Sequence, residues 1–222
     1  MTRIPTASFL RCALAVLGIA VAGPALAHPH VWVVAKAELA YEGGKVAGVW
    51  HSWTFDAAYS AYVTQGLDTN KDGKLSPEEL QGLATENTTN LAEFGYFTKL
   101  KVAGKEQAFA EPREPRMAMD GDKVTLSFLL PLKASAAQGR GVAAIEIYDP
   151  TYFVSFGLAE GADAVGLRGA PSGCAVTINR PKSNGPQTAD AGKPMSEAFF
   201  EALTAASDFG AQYANRALVA CP

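Results

Sequence analysis

Cysteine and histidine are scarce, three of each, and no run of basic residues occurs anywhere in the chain. With 19 Lys and Arg against 22 Asp and Glu, the formal charge is −3. A mildly acidic chain without a basic block lacks the electrostatic footprint of a nucleic-acid or anionic-membrane binder. Neither a Gly-x-Ser-x-Gly nor a His-Glu-x-x-His motif is present, so a nucleophile elbow and a zinc-peptidase helix are both missing. No internal repeat is visible, which argues against a solenoid or propeller. Beyond the first 27 residues no stretch is apolar enough to span a bilayer, and the protein is not expected to be membrane-embedded.

Those first 27 residues read as a cleaved signal peptide. Arg3 and Arg11 precede an apolar run from Cys12 to Val21. The run has the length of a signal h-region and is too short to cross a membrane. Ala25-Leu26-Ala27 supplies the small residues that a signal peptidase reads. Export to a periplasm is therefore expected. Removal of 27 of 222 residues leaves 195, enough for one domain with a real core, and loss of two arginines takes the charge from −3 to −5. Two cysteines remain, Cys174 and Cys221. An oxidising compartment favours a disulfide between them; a soft metal pair is the alternative.

Residues 31–41 and 45–55 alternate and are rich in valine, with Glu42-Gly43-Gly44-Lys45 as a hairpin turn between them. Asp56 is placed to cap a helix running to about Gly66, and a second helix is expected from Pro77 to about Phe94. Strands are expected at 96–103, over Lys123–Leu130 after an Asp120-Gly121-Asp122 turn, and twice within 142–158, broken at Pro150. Residues 180–195 read as a loop, and Ser196 to about Val219 as largely helical. The expected fold is α+β. A single domain, 28–222, would hold antiparallel sheet, an EF-hand-like helix-loop-helix inserted at 56–94, and a C-terminal helical segment.

The strongest motif runs from Asp68 to Glu79. Oxygen side chains fall at loop positions 1, 3, 5 and 9 (Asp68, Asn70, Asp72, Ser76), glycine at 6 (Gly73) and glutamate at 12 (Glu79). A hard cation needs six or seven oxygens, and alternate residues of a tight loop point inward to supply them. Lys74 would give its carbonyl, and Leu75 would pack beneath. Ser76, Pro77 and Glu79 also make an N-cap, a first-turn proline and a capping box, which would start a helix without metal. That motif would not need Asp68, Asn70, Asp72 and Gly73 together, so Ca2+ is the expected ligand. A lone loop in a calcium-rich compartment is more simply a structural clip than a sensor.

Cleavage after Ala27 would expose His28-Pro29-His30-Val31-Trp32. A free α-amine titrates near 7.7–8.0, about where a metal can displace its proton. Pro29 has no N–H, which excludes the square-planar amino-terminal chelate that needs a deprotonated second amide. Chelation by the amine and ring of His28, with His30 two residues on and on the same strand face, remains. Such a pair suits Zn2+, Ni2+, Co2+ or Cu2+ without choosing among them. A regular hairpin puts His51 opposite Lys36, on the face of His28 and His30 but about 20 Å along the strand from His30. It is a weak co-ligand. Asp149, in Tyr148-Asp149-Pro150-Thr151-Tyr152, is either a third ligand or a turn aspartate bonding nearby amides.

The exported His-Pro-His start, Trp53-Thr54-Phe55-Asp56, Tyr148-Asp149-Pro150-Thr151-Tyr152 and Gly173-Cys174 together resemble domain-of-unknown-function family 1007. The family is described as periplasmic components of uncharacterised ABC-type transport systems, and is similar to proteins found beside nickel/cobalt-type exporters or permeases. The resemblance spans most of 28–222. It implies a membrane metal transporter as a partner and carries over no catalytic residue. Three functions follow as expectations. The first is a non-enzymatic, periplasmic metal-binding accessory of a transition-metal transport system, stabilised by Ca2+. The second is a copper enzyme built on an amino-terminal histidine. The third is a calcium-stabilised interaction module without a transition metal.

Overall fold

The computed structural model describes residues 29–181 and 208–222. Along the chain the strands and helices are β1 (Val31–Glu42), β2 (Lys45–Phe55), α1 (Ala57–Val63), α2 (Pro77–Asn90), β3 (Thr98–Val102), β4 (Lys105–Glu106), β5 (Arg113–Asp120), β6 (Lys123–Ala136), β7 (Val142–Ile147), β8 (Val154–Leu158), β9 (Val165–Arg168), β10 (Ala175–Asn179) and β11 (Asn215–Ala220). Short 3-10 segments cover Leu91–Phe97, Ala162–Ala164 and Phe209–Tyr213.

The architecture corrects the α+β expectation. Among the described residues 47% lie in strands and 21% in helices, and α2 is the one long helix. The helix pair around the calcium-type loop does not form. Only seven residues, α1, precede it, and α1 ends at Thr64, whose amide and hydroxyl both bond back to the Ser60 carbonyl. Ser60 is buried and accepts the Val124 amide at 3.0 Å, which ties the short helix to the start of β6. The end of the expected C-terminal helix, from Asn215 to about Val219, belongs instead to strand β11, whose alternating burial meets β7 on one side and β10 on the other. The part at 196–207 lies outside the described residues, as does most of the 180–195 loop.

One sheet has the order β5-β6-β2-β1-β8, with β9 also on β1; the other has the order β10-β11-β7-β3-β4. The first is mixed, because β8 and β9 run parallel to β1. Alternation drives the packing: Val31, Val33, Ala35, Ala37 and Leu39 point inward while Trp32, Val34 and Lys36 point out. The inward faces of both sheets share one apolar core. Three polar bridges fix the sheets to each other. Asn215 on β11 donates to the Phe156 carbonyl and accepts from the Leu158 amide of β8. Tyr41 donates to Gln138 at 2.7 Å, and Gln138 donates on to the Val219 carbonyl. Thr98 Oγ1 on β3 lies 3.3 Å from His51 Nε2 on β2.

Cys174 and Cys221 are joined, their Cα atoms 4.1 Å apart, one step beyond the Ala175–Ala220 pair that opens the β10–β11 ladder.

Candidate functional site

The loop before α2 is shaped by its own side-chain oxygens. Asp68 accepts the amides of Asp72 and Gly73 at 3.1 and 3.0 Å. Asn70 Oδ1 accepts the Asp72 amide at 2.9 Å, and Asp72 Oδ1 accepts the Lys74 amide at 2.8 Å. Left-handed backbone at Lys71 (φ 60°) and Gly73 (φ 78°) curls the chain between them; glycine takes that conformation without steric cost. Glu79 reaches back. Its Oε2 accepts the Ser76 amide, and its Oε1 accepts the Thr69 amide and hydroxyl at 2.8 and 2.9 Å. The reciprocal bond from the Glu79 amide to Ser76 Oγ completes the capping box that starts α2. The Ser76 amide, then the Thr69 hydroxyl and amide, pull the Glu79 carboxyl down to about 2.

Asp68, Asn70, Asp72, Ser76, Glu79 and the Lys74 carbonyl are thus strung on one exposed loop, and Leu75 packs against the core beneath. Their chemistry, all oxygen and rich in carboxylate, suits a hard cation. Each ionised carboxylate has about four acceptor sites, so the amide bonds leave capacity unused. Among the described residues no three His, Cys, Asp or Glu side chains converge as a ready ligand group. A cation here would have to draw Glu79 from its amides toward Asp68 and Asp72.

His28 lies outside the described residues. His30 is exposed, its amide bonded to the Phe153 carbonyl at 2.9 Å and its ring 4.8 Å from that of Phe153. The other two candidate ligands are occupied elsewhere. Near the turn, Glu42 faces Lys45 as a regular hairpin requires, but Tyr41 faces Val46 while Ala40 faces Gly48. Ala47 is a bulge. Past it the register has moved by one, His51 faces Ala37 and not Lys36, and it points into the core. There it stacks on Phe128 at 5.0 Å, and burial lowers its pKa to about 3. It sits on the face opposite to His30 and is no co-ligand. Its Nδ1 and the Nε1 of neighbouring Trp53 are buried without hydrogen-bond partners. Asp149 takes the turn role. One oxygen accepts the Thr151 amide and hydroxyl at 2.8 and 2.9 Å, the other the Val154 amide at 2.9 Å.

Two features escaped the sequence. Lys99 and Tyr148 both donate to Asp208, at 2.9 and 2.8 Å, tying the C-terminal segment to the second sheet. A cavity of about 620 Å3 lies against α2 and the aromatic end of the core, with Trp53, Phe55, Tyr59, Phe97 and Phe156 in its wall. The density of aromatics at 53–59 and 94–97 was the available signal; the two runs meet only in the folded chain.

The model of a family described as a protein of unknown function (DUF1007) matches residues 13–221. An uncharacterized protein of Haemophilus influenzae is 25% identical over 141 residues, which are 63% of this chain and 66% of that protein. An uncharacterized 15.5 kDa protein in the trpE 3' region of Spirochaeta aurantia is 30% identical over 86 residues, 39% of this chain and 61% of that protein. The matched regions therefore span at most about two thirds of either relative. No solved structure matches. With the family model covering nearly the whole chain, the protein belongs to domain-of-unknown-function family 1007.

Proposed function

We propose that the chain is a metal-binding accessory protein of the cell envelope, a binder and not a catalyst, clipped by Ca2+ at Asp68–Glu79. The observation that carries this reading is the loop itself, where the three oxygen side chains of Asp68, Asn70 and Asp72, at alternate positions, already accept loop amides. The Cys174–Cys221 bridge agrees with export to an oxidising periplasm. A transition ion would bind at the amino terminus through the amine and ring of His28 and the ring of His30. The exposed position of His30 at the head of β1 supports that placement. Burial of His51 takes away the facing histidine that a copper enzyme would need, which favours the accessory reading. A membrane transporter of nickel, cobalt or zinc is the partner that this reading assigns.

The test is calorimetry of Zn2+, Ni2+, Co2+ and Cu2+ on protein beginning at His28, with Ca2+ present throughout. One ion should bind near neutral pH, more weakly in acid, as the histidine rings and the amine take up protons. One alanine added before His28 should weaken binding and leave the fold intact. Equal affinities would remove the amine from the site; no binding would leave a calcium-stabilised module.

A further inference from the structure

The cavity beside α2 has a character that metal binding does not use. Six large apolar side chains stand exposed among the described residues, and two of them, Phe94 at 52% and Phe153 at 46%, line this one cavity. Each adjoins strained backbone. Phe94 precedes Gly95, Tyr96 and Phe97, three consecutive residues at φ 59°, 58° and 47°. Phe153 follows Tyr152 at φ 60°. Aromatic residues enter left-handed backbone only where the surroundings over-determine it, and such strain gathers at binding sites. Here it holds two apolar rings at the border between cavity and water, against the hydrophobic effect.

Charge narrows the ligand. Among the described residues no Lys, Arg or His lines the cavity, and His30 only stacks on Phe153 at its rim. Of its two carboxylates, Asp149 accepts three bonds, from the Thr151 amide and hydroxyl and the Val154 amide, and is held in its turn. Glu86, exposed on α2, has no ion-pair partner among the described residues. An anionic amphiphile would bring like charge to Glu86. A cationic one would set its charge beside a carboxylate and its body among aromatic faces, which also attract cations.

We propose that this cavity binds a cationic amphiphile, an aromatic amine whose ring system fills the space between Phe97, Phe153 and Leu83 while its ammonium group meets Glu86. The inference is independent of the metal reading.

Three fluorescent probes with one body separate the contributions: 9-(aminomethyl)anthracene, 9-anthracenemethanol and 9-anthracenecarboxylate, each titrated into protein with Ca2+ present. The amine should bind tightest and the carboxylate weakest. Glu86→Gln should lower the affinity of the amine by ~2–5-fold, to that of the alcohol, and leave the alcohol unchanged. Leu83→Trp, which fills the cavity, should weaken all three about tenfold. Phe153→Ala, at the exposed rim, should weaken all three several-fold and serves if Leu83→Trp does not melt cooperatively. Carboxylate binding as tight as amine binding would overturn the proposal. So would absence of binding by every probe, or indifference to a folded cavity variant.

Discussion

The backbone amide of Trp32 and the carboxylate of Asp56 lie 2.9 Å apart, so the first strand is fastened at its head by the residue that starts the first helix. The other oxygen of Asp56 accepts the Tyr59 amide at 2.9 Å, the N-cap bond of α1, and the Asp56 amide returns a bond to the Trp32 carbonyl. One side chain thus sets both the helix start and the position of the segment that carries His30. Asp56→Ala removes cap and clamp together. It should cost about 1–3 kcal/mol, read as a lower urea midpoint. An unchanged midpoint would mean that neither bond contributes.

Calcium should raise the melting temperature. A ligand held only by the folded state stabilises it by about 2.7 kcal/mol at a hundred times its Kd. Glu79→Gln should abolish most of that gain, since it removes charge from the residue that closes the loop. Millimolar Ca2+ with no effect on wild type would rule out the calcium site.

His51 should make the protein acid-sensitive. Its folded pKa of about 3 lies below an unfolded value of about 6.5. Between the two, the unfolded chain binds a proton that the folded one refuses. Its contribution is therefore complete above about pH 6.5 and is lost as the pH falls to about 3, at up to ~1.4 kcal/mol per pH unit. His51→Leu should remove that slope, so the variant's stability curve should be flatter than that of wild type across the window. Parallel curves for variant and wild type would show that His51 titrates normally.

Gly210 should tolerate no side chain. A Cβ there would lie 1.7 Å from the Asp149 carbonyl oxygen, and the Gly210 amide donates to the Pro150 carbonyl at 2.8 Å. Gly210→Ala must push the C-terminal segment off the turn that follows β7. The expected cost is about 3 kcal/mol, or a melting temperature lower by roughly 6–12 °C.

Thiol titration of the unfolded, unreduced mature protein should find no free sulfhydryl. The bridge spans 47 residues. By chain entropy it is worth about 4 kcal/mol, so reduction should lower the melting temperature by roughly 8–16 °C. Two free thiols would refute the bridge.

What was legible in the sequence was local. The Gly43-Gly44 turn, the alternation of β1 and β2, the Asp56 cap and the Ser76–Glu79 box are each decided by neighbours within a few residues, and all appear in the fold. What failed depends on distant partners. Asn215–Ala220 carries apolar residues that suit a helix equally well, until β7 and β10 supply ladders on both sides. β5 holds Pro115 and alternates poorly, yet stands as an edge strand, where the Pro115 carbonyl accepts a bond from Gln81 of α2. Asp149 as a ligand and Asp149 as a turn residue are indistinguishable without knowing that Thr151 and Val154 fold back onto it.

The bulge at Ala47 also constrains how the hairpin can change length. Without Ala47 the ladder would be regular and would keep the same partners: Gly48 would still face Ala40 and His51 would still face Ala37, so His51, Trp53 and Phe55 would stay in the core. The bulge therefore gives the hairpin one residue of slack. A single-codon deletion between the turn and His51 can be absorbed by losing the bulge, whereas a single-residue insertion there would need a wider bulge to keep the same side chains inward.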